Sequence, residues 1–211
     1  GIKGKEVDEP VGLIDLAPTL MDLVGSPEAM TTTGKSLMPV LTLQEHPKHR
    51  DYVLTGRERH THARPDNLGY PARAIRTEEF LYVHHFKSDR WPQGDPVPKN
   101  PENDQRSEAA GSGYKSLYPG YHDVDASPSK DQVMAISESH FFELAFAKRP
   151  QDQLYDIKKD PYCTQNIAFL PDYSEVLSRL KRQLLNDLKE QGDPRVFDDP
   201  VFDSYPRYSS M

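Results

Sequence analysis

The sequence predicts a mixed α/β fold with a modest core and long loops, and three observations predict it. Short strand-like runs recur at residues 52–55, 73–76, 80–84 and 153–157. An amphipathic helix pattern spans residues 173–190. Leu, Ile, Val and Phe make up only about a fifth of the 211 residues, diluted by 19 prolines and 12 glycines. A formal charge of −7 is too small for self-repulsion to forbid folding. A pI near 5.6 with scattered basic residues argues against a nucleic-acid footprint. No apolar run reaches the 18 or so residues of a membrane span, and no signal-peptide pattern opens the chain. The single cysteine, Cys163, excludes an internal disulfide and leaves only an intermolecular one open.

Along the chain, the opening Gly1-Ile2-Lys3-Gly4-Lys5 reads as a cut inside a larger protein. A helix is expected from Asp15 to Val24, with Asp15 as N-cap, Pro18 in the first turn and Gly25 and Pro27 as stop. Leu16, Leu20, Leu23 and Val24 share one face, which needs a partner surface supplied from outside this stretch. Gly34-Lys35-Ser36 is like the tail of a phosphate-binding loop, but Ala29 stands where such a loop needs glycine and no strand precedes it. Tyr52-Val53-Leu54-Thr55 reads as a short buried strand stopped by Gly56. Two further strands meet at the polar turn Thr77-Glu78-Glu79. Residues 88–130 form a long Pro/Gly/Ser/Asp-rich stretch, the kind of loop that is usually functional or mobile. Gln132 to Ile136 reads as a helix turn or a strand. The helix at 173–190 carries the stripe Val176, Leu177, Leu180, Leu184, Leu185 and Leu188, with Arg179, Lys181, Arg182 and Lys189 facing outward.

The chemistry-bearing residues concentrate in one loop. Arg57-Glu58-Arg59-His60-Thr61-His62-Ala63-Arg64-Pro65-Asp66-Asn67 follows the first strand. Arginine offers a planar fork of donors suited to sulfate, phosphate or carboxylate. In α/β sheets ligands bind beyond the carboxyl ends of strands, so if residues 52–55 belong to such a sheet this loop lies at a ligand. Alternatively its charges neutralise one another in solvent. His60 and His62 have metal-ligand spacing but no third ligand at a diagnostic distance. His84 and His85, at a strand end, read as packed, one ring in and one out. No serine-hydrolase elbow, Cys-x-x-Cys or His-Glu-x-x-His motif is present, so the chain holds no complete catalytic constellation.

Taken together, the segments resemble the C-terminal part of a formylglycine-dependent sulfatase. Val11-Gly12-Leu13-Ile14-Asp15-Leu16-Ala17-Pro18-Thr19-Leu20 with Gly25 is similar to the family's Asp-Leu-x-Pro-Thr-Leu helix and glycine stop. Gly34-Lys35-Ser36-Leu37 resembles its Gly-x-Ser-Leu, which removes the nucleotide reading. Leu154-Tyr155-Asp156, Asp160-Pro161 and Thr164-Gln165-Asn166 resemble its Leu-Tyr-Asp signature, with Cys163 at a usually acidic position. Arg57-Glu58-Arg59-His60, Asp66 and Leu68-Gly69-Tyr70-Pro71-Ala72-Arg73-Ala74-Ile75-Arg76-Thr77 look most like the heparan N-sulfatase branch. Phe86-Lys87 and Asp89-Arg90-Trp91-Pro92 are similar to its bacterial members.

The resemblance implies an alkaline-phosphatase-like α/β core, its end at residues 1–70, and at 71–211 a C-terminal α+β subdomain with a small antiparallel sheet and a long helix. It implies a sulfatase, acting on N-sulfated glucosamine of heparin-type glycans. The rivals are an O-sulfatase or phosphate or phosphonate monoesterase of the same superfamily, and a stand-alone carbohydrate-binding module. In the family a formylglycine, made from Cys or Ser in a Cys/Ser-x-Pro-x-Arg motif, attacks sulfur in its hydrated form, while calcium held by Asp and Asn offsets sulfate charge. Neither that motif nor those ligands can be matched here, so no catalytic or metal residue is assigned to this chain. Arg57, Glu58, Arg59 and His60 are expected to bind substrate, with His60 and Glu58 on the sugar. The implied partners are a sulfated glycan and the N-terminal catalytic part of the same protein. The implied location is outside the cytoplasm, in periplasm, lysosome or medium.

Overall fold

The computed structural model describes residues 4, 6–26, 31–42, 47–60, 63–96 and 113–206. Pro27, Ala29, His62 and part of the long 88–130 stretch, all used in the reading above, lie outside these.

Four strands form one antiparallel sheet in chain order: β1 Tyr52–Arg57, β2 Ala72–Thr77, β3 Phe80–His85 and β4 Asp152–Asp156. The register sets Leu54, Ile75, Tyr82 and Leu154 in a single row across it. The long helix α5, Ser174–Glu190, covers this face with Leu180, Leu184 and Leu188. Helical spacing of those leucines matches the pleat of the row beneath, and each side chain so buried stabilises the fold by about 1.5–3 kcal/mol. Tyr82 sits in this core because its hydroxyl donates to Asp152 Oδ1 at 2.6 Å. Lys181 donates to the other oxygen of Asp152 at 2.8 Å, so it does not face outward as its helix position implied. The small antiparallel sheet and the long helix are as the resemblance implied.

Three local expectations change. β1 is a half-buried edge strand rather than a buried one, and it runs through Gly56 to Arg57. Gly56 pairs with Arg73, and a Cβ there would stand 2.8 Å from Arg73 Cδ, so the glycine admits the arginine rather than ending the strand. The pairing that β1 makes with β2 is antiparallel, so in this sheet its carboxyl end meets the start of β2. Gln132 to Ala135 belong to a helix, α3 Pro128–Ala135, capped by Ser127; a short helix, His140–Ala145, follows. His84 and His85 are both buried: alternation sends them to opposite faces, but both faces are covered there. His84 packs against Phe86 and Asp152, and His85 against Tyr70 and Gln153.

Before the sheet, a turn at Leu13–Asp15 leads into α1, Leu16–Leu23, and a short helix, α2 Met38–Thr42, lies further on. Asp15 holds the N-cap position but its carboxylate does not cap the helix. It is fully buried, accepts from the backbone N–H of Gly12 and Lys35 and from Arg50, and pairs with His49. Leu37 N–H donates to Thr19 Oγ1, and Ser36 Oγ donates to Asp22. The Gly34-Lys35-Ser36 stretch therefore fastens itself to α1 with the groups a phosphate would need. The other face of α1 is bare: Leu13, Leu16, Leu20, Leu23 and Val24 are all exposed.

Candidate functional site

The loop between β1 and β2 begins where the pleat points successive side chains to opposite faces. Arg57 lies opposite Ala72, on the face away from α5, whereas Glu58 turns back to Arg73 on the α5 face. The four expected site residues thus divide into two groups.

Glu58 and Arg59 join the segment that follows α5. Glu58 is 18% exposed and accepts from Arg73 Nη2 at 2.7 Å and from Arg195 Nη2 at 2.7 Å. Arg73 also donates to Asp193 at 2.6 Å; Arg195 and Arg90 both pair with Asp203, each at 3.0 Å. Arg59 donates to the carbonyls of Asn67 and Phe202. Burial works against the charge on Arg73 and Arg195, yet their carboxylate partners outweigh it and hold both pKa values above the ordinary one. Asp203 is likewise opposed by burial, but hydrogen bonds from Arg90 and Arg195 hold it well below the usual carboxylate range. A Cβ at Gly69 would lie 2.6 Å from the Glu58 carbonyl, so the returning loop packs directly on this clasp.

Arg57 and His60 take the other side and meet a residue the sequence did not single out, Asp123. Its carboxylate is 1% exposed and accepts from Arg57 Nη2 at 3.0 Å and from Arg64 Nη2 at 3.2 Å, both at Oδ2. His60 Nδ1 stands 3.2 Å from Oδ1. Arg64 is buried, at 2% side-chain exposure, and donates through Nε to the Trp91 carbonyl. Burial pulls its pKa down, with Asp123 opposing. Arg57 and His60 remain open to solvent, at 49% and 67%. Two arginines around one carboxylate leave an excess of positive charge, and its exposed part is Arg57, with the His60 ring beside it.

Asp123 is held in place by its own turn. Gly120 has φ +89°, and a Cβ there would fall 2.1 Å from the Pro96 carbonyl, so only glycine permits the approach. Tyr121 N–H donates to Asp95 and Asp123 N–H to Gln93. Lys130 Nζ, buried, donates to the carbonyls of Gly120, Tyr121 and Val124 at 2.9, 3.2 and 3.0 Å. His122-Asp123-Val124-Asp125 lay in the long polar stretch with nothing in its spacing to mark one carboxylate as buried.

Among the described residues no three of His, Cys, Asp and Glu stand together as a metal site. No Cys/Ser-x-Pro-x-Arg motif occurs in the sequence. A groove of about 830 Å³ lies elsewhere, between residues 11–14, the edge of β1 and the end of α5. Of its two basic members, Lys35 and Arg50, the second is committed to Asp15.

No protein-family profile matches the chain. The chain is 23% identical over 190 residues to an ulvan-active sulfatase of Formosa agariphila, covering 89% of this chain and 27% of that protein. It is 24% identical over 213 residues to N-sulphoglucosamine sulphohydrolase of Homo sapiens, covering 92% of this chain and 35% of that one. A solved 2-O GAG sulfatase superposes with a TM-score of 0.53 at 20% identity, over 96% of this chain and 31% of that structure. The fold is therefore that of a sulfatase segment, and the relatives found by sequence are sulfatases that match nearly the whole chain at low identity. The chain spans about a third or less of the length of these relatives.

Proposed function

We propose that this chain is the C-terminal part of a sulfatase and supplies one wall of its sulfated-glycan site through the loop at 57–60. The observation that carries this reading is Arg57, half exposed and hydrogen-bonded to a buried carboxylate, with His60 beside the same group. A donor held in this way has less ordering to do when it binds an anionic oxygen. Glu58 and Arg59 brace the loop from the opposite face rather than contacting sugar. The bare leucines of α1 give the catalytic part of the sulfatase an apolar surface to pack on. Formylglycine and calcium would come from that part. Export follows from the class of relative; no helix among the described residues is long and apolar enough to cross a membrane.

N-sulfated glucosamine is the substrate of first choice, from the human relative and the branch resemblance of residues 57–77. The ulvan-active relative favours a second reading, an O-sulfatase acting on a polysaccharide. Sulfate release by the full-length protein from N-sulfoglucosamine and from ulvan oligosaccharides separates them. Release from the first alone is expected, and release from neither overturns the sulfatase reading. Arg57→Ala and His60→Ala in the same protein should each raise KM several-fold, in line with a lost charge-assisted contact.

A further inference from the structure

We infer that Asp123 is the positioning residue of this site: it sets the Arg57 guanidinium and the His60 ring side by side as two donors for one anionic group of the substrate. The inference rests on the reading of the 57–60 loop as a substrate wall and adds a residue more than sixty positions away. Three facts support it. The Asp123 carboxylate is almost wholly buried, yet two of the side chains that face it, Arg57 and His60, are at the surface, an arrangement in which the acid shapes the rim without being part of it. Its two oxygens are divided between the donors, Oδ2 to Arg57 and Arg64, and Oδ1 to the His60 side. Oδ1 makes no hydrogen bond among the described residues, since His60 Nδ1, 3.2 Å away, stands off the hydrogen-bond line. Bonds that are poorly aligned in the free protein commonly tighten only when ligand arrives.

The turn around Asp123 has the rigidity this role requires. Lys130 ties three of its carbonyls, and the backbone of 121–123 is bonded to 93–95. Arg64 neutralises the carboxylate from the buried side through a guanidinium that Trp91 and Pro92 carbonyls orient. With the inner charge satisfied, the outer two donors are free to turn toward an incoming anion. A doubly bonded, charge-assisted contact of this form suits a sulfate or sulfamate oxygen pair better than a hydroxyl.

Steady-state kinetics on the full-length protein with N-sulfoglucosamine, or with ulvan oligosaccharides if those are its substrate, test this. Asp123→Asn should raise KM by about tenfold while kcat stays within about twofold, since a purely structural carboxylate would lower the active fraction, and hence kcat, instead. The double variant Arg57→Ala with Asp123→Asn should raise KM by clearly less than the product of the two single effects, because residues that act through one another do not add; what Asp123→Asn still contributes there is its effect on His60. Independent, multiplying KM increases overturn the inference. Should Asp123→Asn fail to fold, the cycle between Arg57→Ala and His60→Ala decides: coupling above about threefold supports a shared support, and strict additivity overturns it. If neither Arg57→Ala nor His60→Ala changes KM, the substrate-wall reading itself falls. If both do and Asp123→Asn does not, only the role of Asp123 falls.

Discussion

Glu58 accepts from two arginines whose side chains are almost entirely buried, and each of these has a second carboxylate partner, Asp193 for Arg73 and Asp203 for Arg195. Removing the Glu58 charge therefore leaves both guanidinium groups partly satisfied rather than orphaned. Glu58→Gln should cost about 1–3 kcal/mol in urea unfolding, short of the loss expected for an isolated buried pair. The arginine-rich loop was visible in the sequence as a place of chemistry, but the division of its charges was not. It depends on strand register, which sends Arg57 and Glu58 to opposite faces, and on Asp123 and Arg195, which reach the loop through turns of no regular period. Residue type and local spacing carry neither.

At the scale of elements, what was legible is what repeats. The leucine stripe of α5 and the paired runs of β2 and β3 follow from periods of 3.6 and 2, and both elements are where those periods put them. Leu184 is fully buried at the centre of that contact, against the row of Ile75, Tyr82 and Leu154. Leu184→Ala should lower stability by about 2–5 kcal/mol, measured by thermal or denaturant unfolding. The same reasoning misjudged β1 because a short apolar run looks alike in a central strand and at an edge. It misjudged Asp15 as well, where a residue with cap chemistry is instead the shared acceptor for Arg50, His49 and two backbone N–H groups. Burial opposes that charge, and the Arg50, Lys35 and Gly12 hydrogen bonds overcome it, holding Asp15 well below the usual carboxylate range.

For the molecule as a whole, these groups fix the sign of its acid sensitivity. Asp15 and Asp203 have folded pKa values below their unfolded ones, so below about pH 3.9 the unfolded chain takes up protons first. Their contribution is complete above that pH and is lost as pH falls further. His84 and His85 are depressed by burial from 6.5, with Asp152 and Gln153 opposing. The unfolded chain again protonates first, so their share is lost as pH falls below about 6.5. Equilibrium unfolding between pH 8 and 3 should therefore show a shallow decline below about 6.5 and a steeper one near 4; stability that rises on acidification would contradict the buried histidines. The clasp on Glu58 also has a consequence in time. Arg195 lies 137 positions after Glu58, and at 5–20 residues per second a ribosome delivers it roughly 7–27 s later. During translation the clasp stands half built for that interval, so a nascent chain halted before Arg195 emerges carries every rim residue with Arg73 alone to hold Glu58.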